Sequence, residues 1–534
     1  MTNYLNLGDK SDVKEVISCL QPFLQDASAL IKLGSGEKIQ LVKQLKDDLE
    51  NDVLQESWND NARTLALETI KICTRDAEIC AAFMESKGME LLLKLSGLEP
   101  PITELDDCVS QEALKCIANT LLLKPDTRKV FENNALVTAC IARLKLPNLS
   151  IESKFLMARI LFVLTADRLL VVEELLKDGT FTEHFTKLLR ENVDAAMAPS
   201  HQAITPVMVI SELLKLLFNL MMNAPRCNNI AVDTKQYESA VESIRDVLLK
   251  IPPAEPIPMA PPHSHAVHAL LNFPVLPPSL FTSPSDAPKS LREKDAAGSY
   301  AIVDFLIQAL KATVEHTLVD DDDDGCRGVA DADELISPLA LLMAKIATED
   351  KAARSKMREK LLPDDTDRTK PLGKGKSFTH RLIQLLTCIT LNNSREAMGE
   401  LLFTLCDEDA NVFAHRVGYG NAAGFLMSRN ILIPQPGSDR AHDEPSEGRT
   451  INPITGQFDD CAPPVNLSEM TDEEKEREAE RLFVLFERLR KTGVMEVQNP
   501  ITEAYQSGRM QEMLDSEERA RRGHGKAADR DKTD

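Results

Sequence analysis

Two stretches decide the fold: LKCIANTLLL, Leu114–Leu123, and LKLLFNLMMN, Leu214–Asn223. Each sets a lysine and, four residues later, an asparagine inside a mostly apolar run. Apolar residues three and four apart mark a buried helix, and a polar pair at that offset shares one helix face. The same frame can be followed along the chain. TIKICTRD carries Lys71 and Arg75, SKFLMARILFVL carries Phe155 and Arg159, and HAVHALLNFPV carries His268 and Asn272. GELLFTLCDED fits the frame with Thr404 in the asparagine place. The second member falls at 75, 119, 159, 219 and 272, with gaps of 44, 40, 60 and 53 residues. Two gaps match the period of about 40–47 residues of armadillo and HEAT repeats, and the longer two leave room for inserted loops.

Around these helices, residues 10–430 form one helical pattern after another, separated by short polar or Gly/Pro breaks. Of the 534 residues 43% are hydrophobic, but only 4% are aromatic, with Trp58 the single tryptophan. Leu and Ala dominate, both good helix formers, so almost no sheet is expected. The expected fold class is all-α: an armadillo/HEAT-like helical-repeat superhelix over residues 1–430, a flexible linker over 431–469, and a separate C-terminal helix with a charged tail over 470–534.

A net charge of −22 argues against sequence-independent binding to nucleic acid and against docking on anionic lipid. Eleven cysteines are scattered, several in apolar runs (Cys73, Cys116, Cys388, Cys406), with no C-x-x-C pair, as expected of reduced, packed thiols. The opening MTNYLNLGDK carries no secretory signal, and no apolar run reaches the roughly 20 residues of a spanning helix. A cytoplasmic, monomeric protein is expected.

In a repeat stack the last helix of each repeat lines the concave groove. Lys71, Arg75, Lys115, Asn119, Arg159, Lys215, Asn219, His268 and Asn272 would then form a ladder. Asn offers a donor and an acceptor to a peptide backbone, and the cations favour an acidic peptide or a free carboxylate. The alternative is that each polar residue is solvated or caps a neighbouring turn.

Three insertions read as surface loops: the proline-rich 252–288, the five aspartates Asp320–Asp324, and PDDTDRTKPLGKGKS at 363–377. GKGKS lacks the upstream glycine of a phosphate loop, where Lys370 stands instead. The aspartate run reads as a solvated acidic loop rather than a calcium site. His263, His265 and His268 lack a companion ligand for zinc. No nucleophile–base or metallohydrolase signature occurs, so neither an enzyme nor a cofactor is expected.

Beyond the linker, MTDEEKEREAERLFVLFERLRKTG begins with a capping box, Thr471 with Glu474, and ends at Gly493. Ala479, Leu482, Phe483, Phe486 and Leu489 form one apolar stripe, which either folds back on the array or grips a partner.

GYGNAAGFL, INPITGQ and MTDEEKEREAERLFVLFERL, in that order, resemble the synembryn family, and the repeat helices extend the likeness over about residues 60–500. The resemblance implies a cytosolic chaperone and guanine-nucleotide exchange factor for G-protein α subunits (Gα), reaching the cell cortex through Gα. It implies a groove that takes the Gα C-terminal helix, whose chain ends in a free carboxylate. It implies a later helix contacting Gα through Leu482, Phe483, Phe486 and Leu489. The family's phosphorylatable segment corresponds to PGSDRAHDEPSEG, where Ser438 and Ser446 have few acidic residues after them. A general armadillo scaffold or transport adaptor is the rival reading. Import receptors carry a Trp-Asn ladder, and Trp58 lies outside any such pair.

Overall fold

The helices of the repeat region begin where short polar side chains can hold the first free amides. Asn59 accepts from Ala62 N (3.0 Å), Asp107 from Ser110 N (2.7 Å), Ser150 from Ser153 N (3.2 Å) and Thr205 from Met208 N (3.4 Å). Pro206 follows Thr205 in the first turn, where its missing N–H costs nothing. The computed structural model describes residues 2–8, 10–25, 33–100, 105–227, 234–281, 300–320, 326–431, 449–452 and 454–461, with 471, 477 and 480 as single residues. They fall into two units, the first ending at Phe305 and the second starting at Leu306.

The first unit contains α1 (Thr2–Leu5), α2 (Val13–Gln25), α3 (Ser35–Gln55), α4 (Asp60–Cys73), α5 (Ala77–Glu85), α6 (Gly88–Ser96) and α7 (Cys108–Leu123). It continues with α8 (Asn134–Leu144), α9 (Ile151–Thr165), α10 (Leu169–Lys177), α11 (Phe181–Ala196), α12 (Pro206–Asn223), α13 (Glu238–Lys250) and α14 (His263–Leu271). One row runs α2, α4, α7, α9, α12, α14, each packed on the next. The other helices back this row, α6 against α7, α11 against α12, α13 against α14. This is the all-α helical-repeat arrangement expected, and the frame-bearing helices of this unit, α4, α7, α9, α12 and α14, stand in the one row.

α12 is apolar almost all round. Val209, Ile210, Leu213, Leu214, Leu216, Leu217 and Leu220 are fully buried. By length and composition it could cross a bilayer, but 72% of its apolar window is buried inside the unit. It is the central core helix. Each of its leucines cut to Ala would cost about 2–5 kcal/mol. A second core feature is Arg143 on α8, fully buried. Its guanidinium donates to Ser96 O at 2.6 Å and to Leu105 O, holding the turn after α6 and the approach to α7. Asp106 does related work: its carboxylate accepts from Ser150 N (2.5 Å), Ser150 Oγ (2.8 Å), Ser153 Oγ (2.6 Å) and Gln111 Nε2 (3.1 Å). Burial pushes this carboxyl up, but those donors outweigh it and hold it below its usual value.

The proline-rich insertion is only partly a surface loop. Pro258, Met259 and Pro262 are buried, and α14 within it belongs to the row.

The second unit is described from α15 (Ala301–Thr317), which enters it at Leu306, through α16 (Ala332–Glu349), α17 (Lys351–Leu361), α18 (Phe378–Leu385), α19 (Asn392–Leu405), α20 (Ala410–Val417) and α21 (Tyr419–Ser428). A short antiparallel hairpin, β1 (Leu318–Asp320) with β2 (Cys326–Gly328), pairs Leu318 with Gly328. Asp321 to Asp324 lie outside the described residues. α16 packs along α19, and Asp333 of α16 caps α19 by accepting from Asn393 N (3.1 Å) and Ser394 N (2.6 Å). Phe403, Phe413 and Phe425 meet with ring centroids 5.6–5.9 Å apart.

Here the structure departs from two expectations. Residues 363–377 are not simply a polar surface loop, and the stretch 431–469 is not a flexible linker throughout. Arg368 is buried and donates to Gly456 O (2.8 Å) and His415 O (3.0 Å). Leu372 N donates to Thr455 O, Phe458 N to Arg368 O and Gly420 N to Ile454 O, each at 2.9 Å. The INPITGQF segment is thus clasped between the 368–372 loop and the start of α21. Gly456 sits at φ +70°, and a Cβ there would come within 2.3 Å of Leu372 Cδ1. The polar letters of both segments hid this, because their hydrogen-bonding groups face each other rather than water.

Candidate functional site

The row of the first unit opens a cleft of about 280 Å³ lined by Lys71, Lys115, Ala118, Asn119, Glu152, Phe155, Leu156, Arg159, Ile204 and Met208. Lys71, Lys115, Asn119 and Arg159, from α4, α7 and α9, are four of the residues expected in the ladder, and the structure brings them together. Phe155, Leu156, Ile204 and Met208 supply its apolar floor.

The four polar groups are not equivalent. Glu112, 2% exposed in its side chain, accepts from Lys71 and from Lys115 (2.9 Å). Lys115 also reaches Glu152 of α9 at 2.7 Å. Burial alone would lower the Lys115 ammonium pKa; Glu152 and Glu112 more than offset this and raise it. Both lysines are therefore held by internal carboxylates. Arg159 lies over the Phe155 ring, 5.3 Å from its centroid, and has no carboxylate partner among the described residues. Asn119 is half-buried, and its amide makes no hydrogen bond among them. Arg159 and Asn119 are the groups with capacity to spare.

The remaining ladder residues are placed elsewhere. Arg75 is exposed in the turn after α4. Lys215 pairs with Glu212 at 2.7 Å and lies 4.7 Å from the Phe162 ring centroid. Asn219 is buried, with its amide donating to Phe162 O (2.8 Å) and Thr165 Oγ1 (3.2 Å), so it joins α12 to α9. Asn272 caps the end of α14 and donates to His268 O at 3.0 Å. His268 meets Phe218 edge-on, and burial lowers its pKa. His263 is buried with Nε2 at 3.1 Å from Ile251 O. Ser438, Ser446, Leu482, Phe483, Phe486 and Leu489 lie outside the described residues.

The glutamates were missed by attention to the i, i+4 pairs alone. Their signal was present: Glu68, Glu112 and Glu212 stand three residues before Lys71, Lys115 and Lys215, and Glu152 three before Phe155.

Cys116 and Cys73, the thiols nearest the cleft residues in sequence, are buried, with burial pushing Cys73 up to about 11 and Cys116 higher still. What the cleft can do is hold a peptide, with a guanidinium and an amide over an apolar floor.

Stacked helices with such a cleft define a helical-repeat protein. Comparison with known proteins narrows this class. The family described as "Guanine nucleotide exchange factor synembryn" matches residues 66–509, and the chain belongs to that family. Chaperone Ric-8A of Gallus gallus is 26% identical over 511 residues, covering 90% of each chain. Chaperone Ric-8A of Xenopus tropicalis is 26% identical over 460 residues, covering 80% of this chain and 81% of that one. Among solved structures, the crystal complex of SYS-1/POP-1 aligns with 74% of this chain and 64% of that one, at a TM-score of 0.45 and 12% identity.

Proposed function

We propose that this chain is a cytoplasmic chaperone and guanine-nucleotide exchange factor for heterotrimeric G-protein α subunits, and that its cleft takes the Gα C-terminal helix. Family membership supports the class of partner. The observation that carries the site is the pairing of an uncommitted guanidinium, Arg159, with an uncommitted amide, Asn119, over apolar residues in one cleft. A helix ending in a carboxylate presents apolar side chains, a free anion and unsatisfied terminal carbonyls, and each has a counterpart there.

Gα braces its nucleotide loops with its C-terminal helix. Capture of that helix removes the bracing. Linkage then requires that a factor binding nucleotide-free Gα more tightly weakens GDP by the same ratio. A thousandfold ratio corresponds to about 4 kcal/mol. The same grip would shelter the nucleotide-free subunit while its own packing is incomplete, which is the work of a chaperone. No covalent step is involved.

The experiment is fluorescence anisotropy with a labelled Gα C-terminal peptide, alongside GDP release from the whole subunit. Arg159→Ala and Asn119→Ala should each weaken the peptide about tenfold and slow release, with unfolding temperature unchanged. An amidated peptide should bind more weakly than the free acid. Affinity indifferent to all three changes removes the groove assignment.

A further inference from the structure

α9 presents its cleft residues in a fixed order. Glu152 comes first, then Phe155 and Leu156, then Arg159, each step about one helical turn. The carboxylate and the guanidinium thus share one face of one helix, about 10 Å apart along its axis, with apolar side chains between them.

The two ends of this face differ in what they leave open. Arg159 is a cation with no carboxylate partner among the described residues. Glu152 lines the cleft with its side chain 31% exposed, and Lys115 Nζ engages only its Oε1, at 2.7 Å. Its Oε2 meets no donor among the described residues. Charge nearly cancels at this end, with Lys71 and Lys115 set against Glu112 and Glu152. The open oxygen therefore selects for a hydrogen-bond donor more than for net charge, whereas Arg159 selects for an anion.

We infer that α9 fixes the direction of a peptide in the cleft and reads a second position of it: the terminal carboxylate sits at Arg159, and a lysine, arginine or amide side chain about two helical turns earlier donates to Glu152 Oε2. This rests on the groove reading and adds a selectivity to it. A peptide with a donor at that distance from its carboxylate is accepted. An aspartate or glutamate there brings a second acceptor against Glu152 and is disfavoured. An apolar side chain there leaves the oxygen to water and gains nothing from it. Glu152 is a specificity-determining residue as well as the partner of Lys115.

The test uses the full chain and a labelled Gα C-terminal peptide. Each Lys, Arg, Asn and Gln near its end is replaced in turn by Ala and by Glu. With the wild-type chain one position should be sensitive, Ala weakening binding several-fold and Glu about tenfold or more. Glu152→Gln keeps an acceptor for Lys115 and adds N–H donors, so it should bring the Glu-bearing peptide within about threefold of the native one. If no position is sensitive, or its cost is the same in both chains, while Arg159→Ala and amidation still weaken the peptide, Glu152 serves Lys115 alone and the inference is overturned. If Arg159→Ala and amidation also leave affinity unchanged, it is the groove reading itself that fails. Should Glu152→Gln not fold, the Ala and Glu replacements against the wild-type chain decide alone.

Discussion

Lys115 Nζ lies 2.7 Å from Glu152 and 2.9 Å from Glu112, so one ammonium ties α7 to α9 while sharing its own helix's carboxylate with Lys71 of α4. The two glutamates differ in burial, 2% against 31% exposed in their side chains. That difference sets the expected cost of removing each. Glu112→Ala leaves Lys71 without its carboxylate and Lys115 with Glu152 alone, and should lower stability by about 3 kcal/mol. Glu152→Ala should cost about 1 kcal/mol or less, because water screens what remains. Urea unfolding of the two variants checks the ranking; equal costs would mean that Glu112 is not the hub of the network.

Arg143 fills a different need. Its guanidinium satisfies carbonyls of Ser96 and Leu105 that have turned away from helix geometry. Burial alone lowers its pKa, yet nearby Asp106 offsets part of this. Arg143→Leu removes both donors and should cost about 3 kcal/mol. Arg143→Lys should recover little, since one ammonium cannot span the planar fork. Thermal unfolding is the measurement, and full rescue by lysine would contradict the fork.

The clasp around INPITGQF depends on a backbone only glycine adopts easily. Gly456→Val adds both the φ penalty and a clash with Leu372, and should release the segment at a cost of about 2 kcal/mol or more. Limited trypsin digestion should then cut after Arg449 several-fold faster than in the wild-type chain, with cleavage rates read by mass spectrometry. Arg368→Ala should give the same pattern, because it removes the donors to Gly456 and His415.

The histidine group on α14 gives a pH dependence. Burial first, then Lys215 and His268, push His265 down to about 4 from its ordinary 6.5. The fold thus favours the neutral ring. Its contribution is fully present above about pH 6.5 and is lost as pH falls through the window down to about 4. His265→Gln should therefore blunt the loss of stability between pH 7 and pH 5, by about 1 kcal/mol once partial exposure of the ring is allowed for. Melting curves at the two pH values decide; an identical pH response in the variant would show that the ring titrates normally.

The row of frame-bearing helices was legible because its signal is local: apolar spacing and a polar pair at i, i+4. That pair gave Lys71, Lys115, Asn119 and Arg159 their shared face. It could not separate Asn119, open to the cleft, from Asn219, spent between α9 and α12, since burial depends on which helix covers each. Glu112 and Glu212 were readable in hindsight, three residues before their lysines, but only the cross-helix register makes them informative. The clasp was not legible. Arg368 and Gly456 are 88 residues apart, and each looks like ordinary loop composition.

A carboxylate held in common by two lysines has a dynamic consequence. α4 and α7 cannot separate without taking Lys71 away from Glu112, and α9 is fastened to α7 through Lys115. Amide protons on these three helices should accordingly exchange with solvent in a single concerted opening, whereas helices outside the network fray one by one.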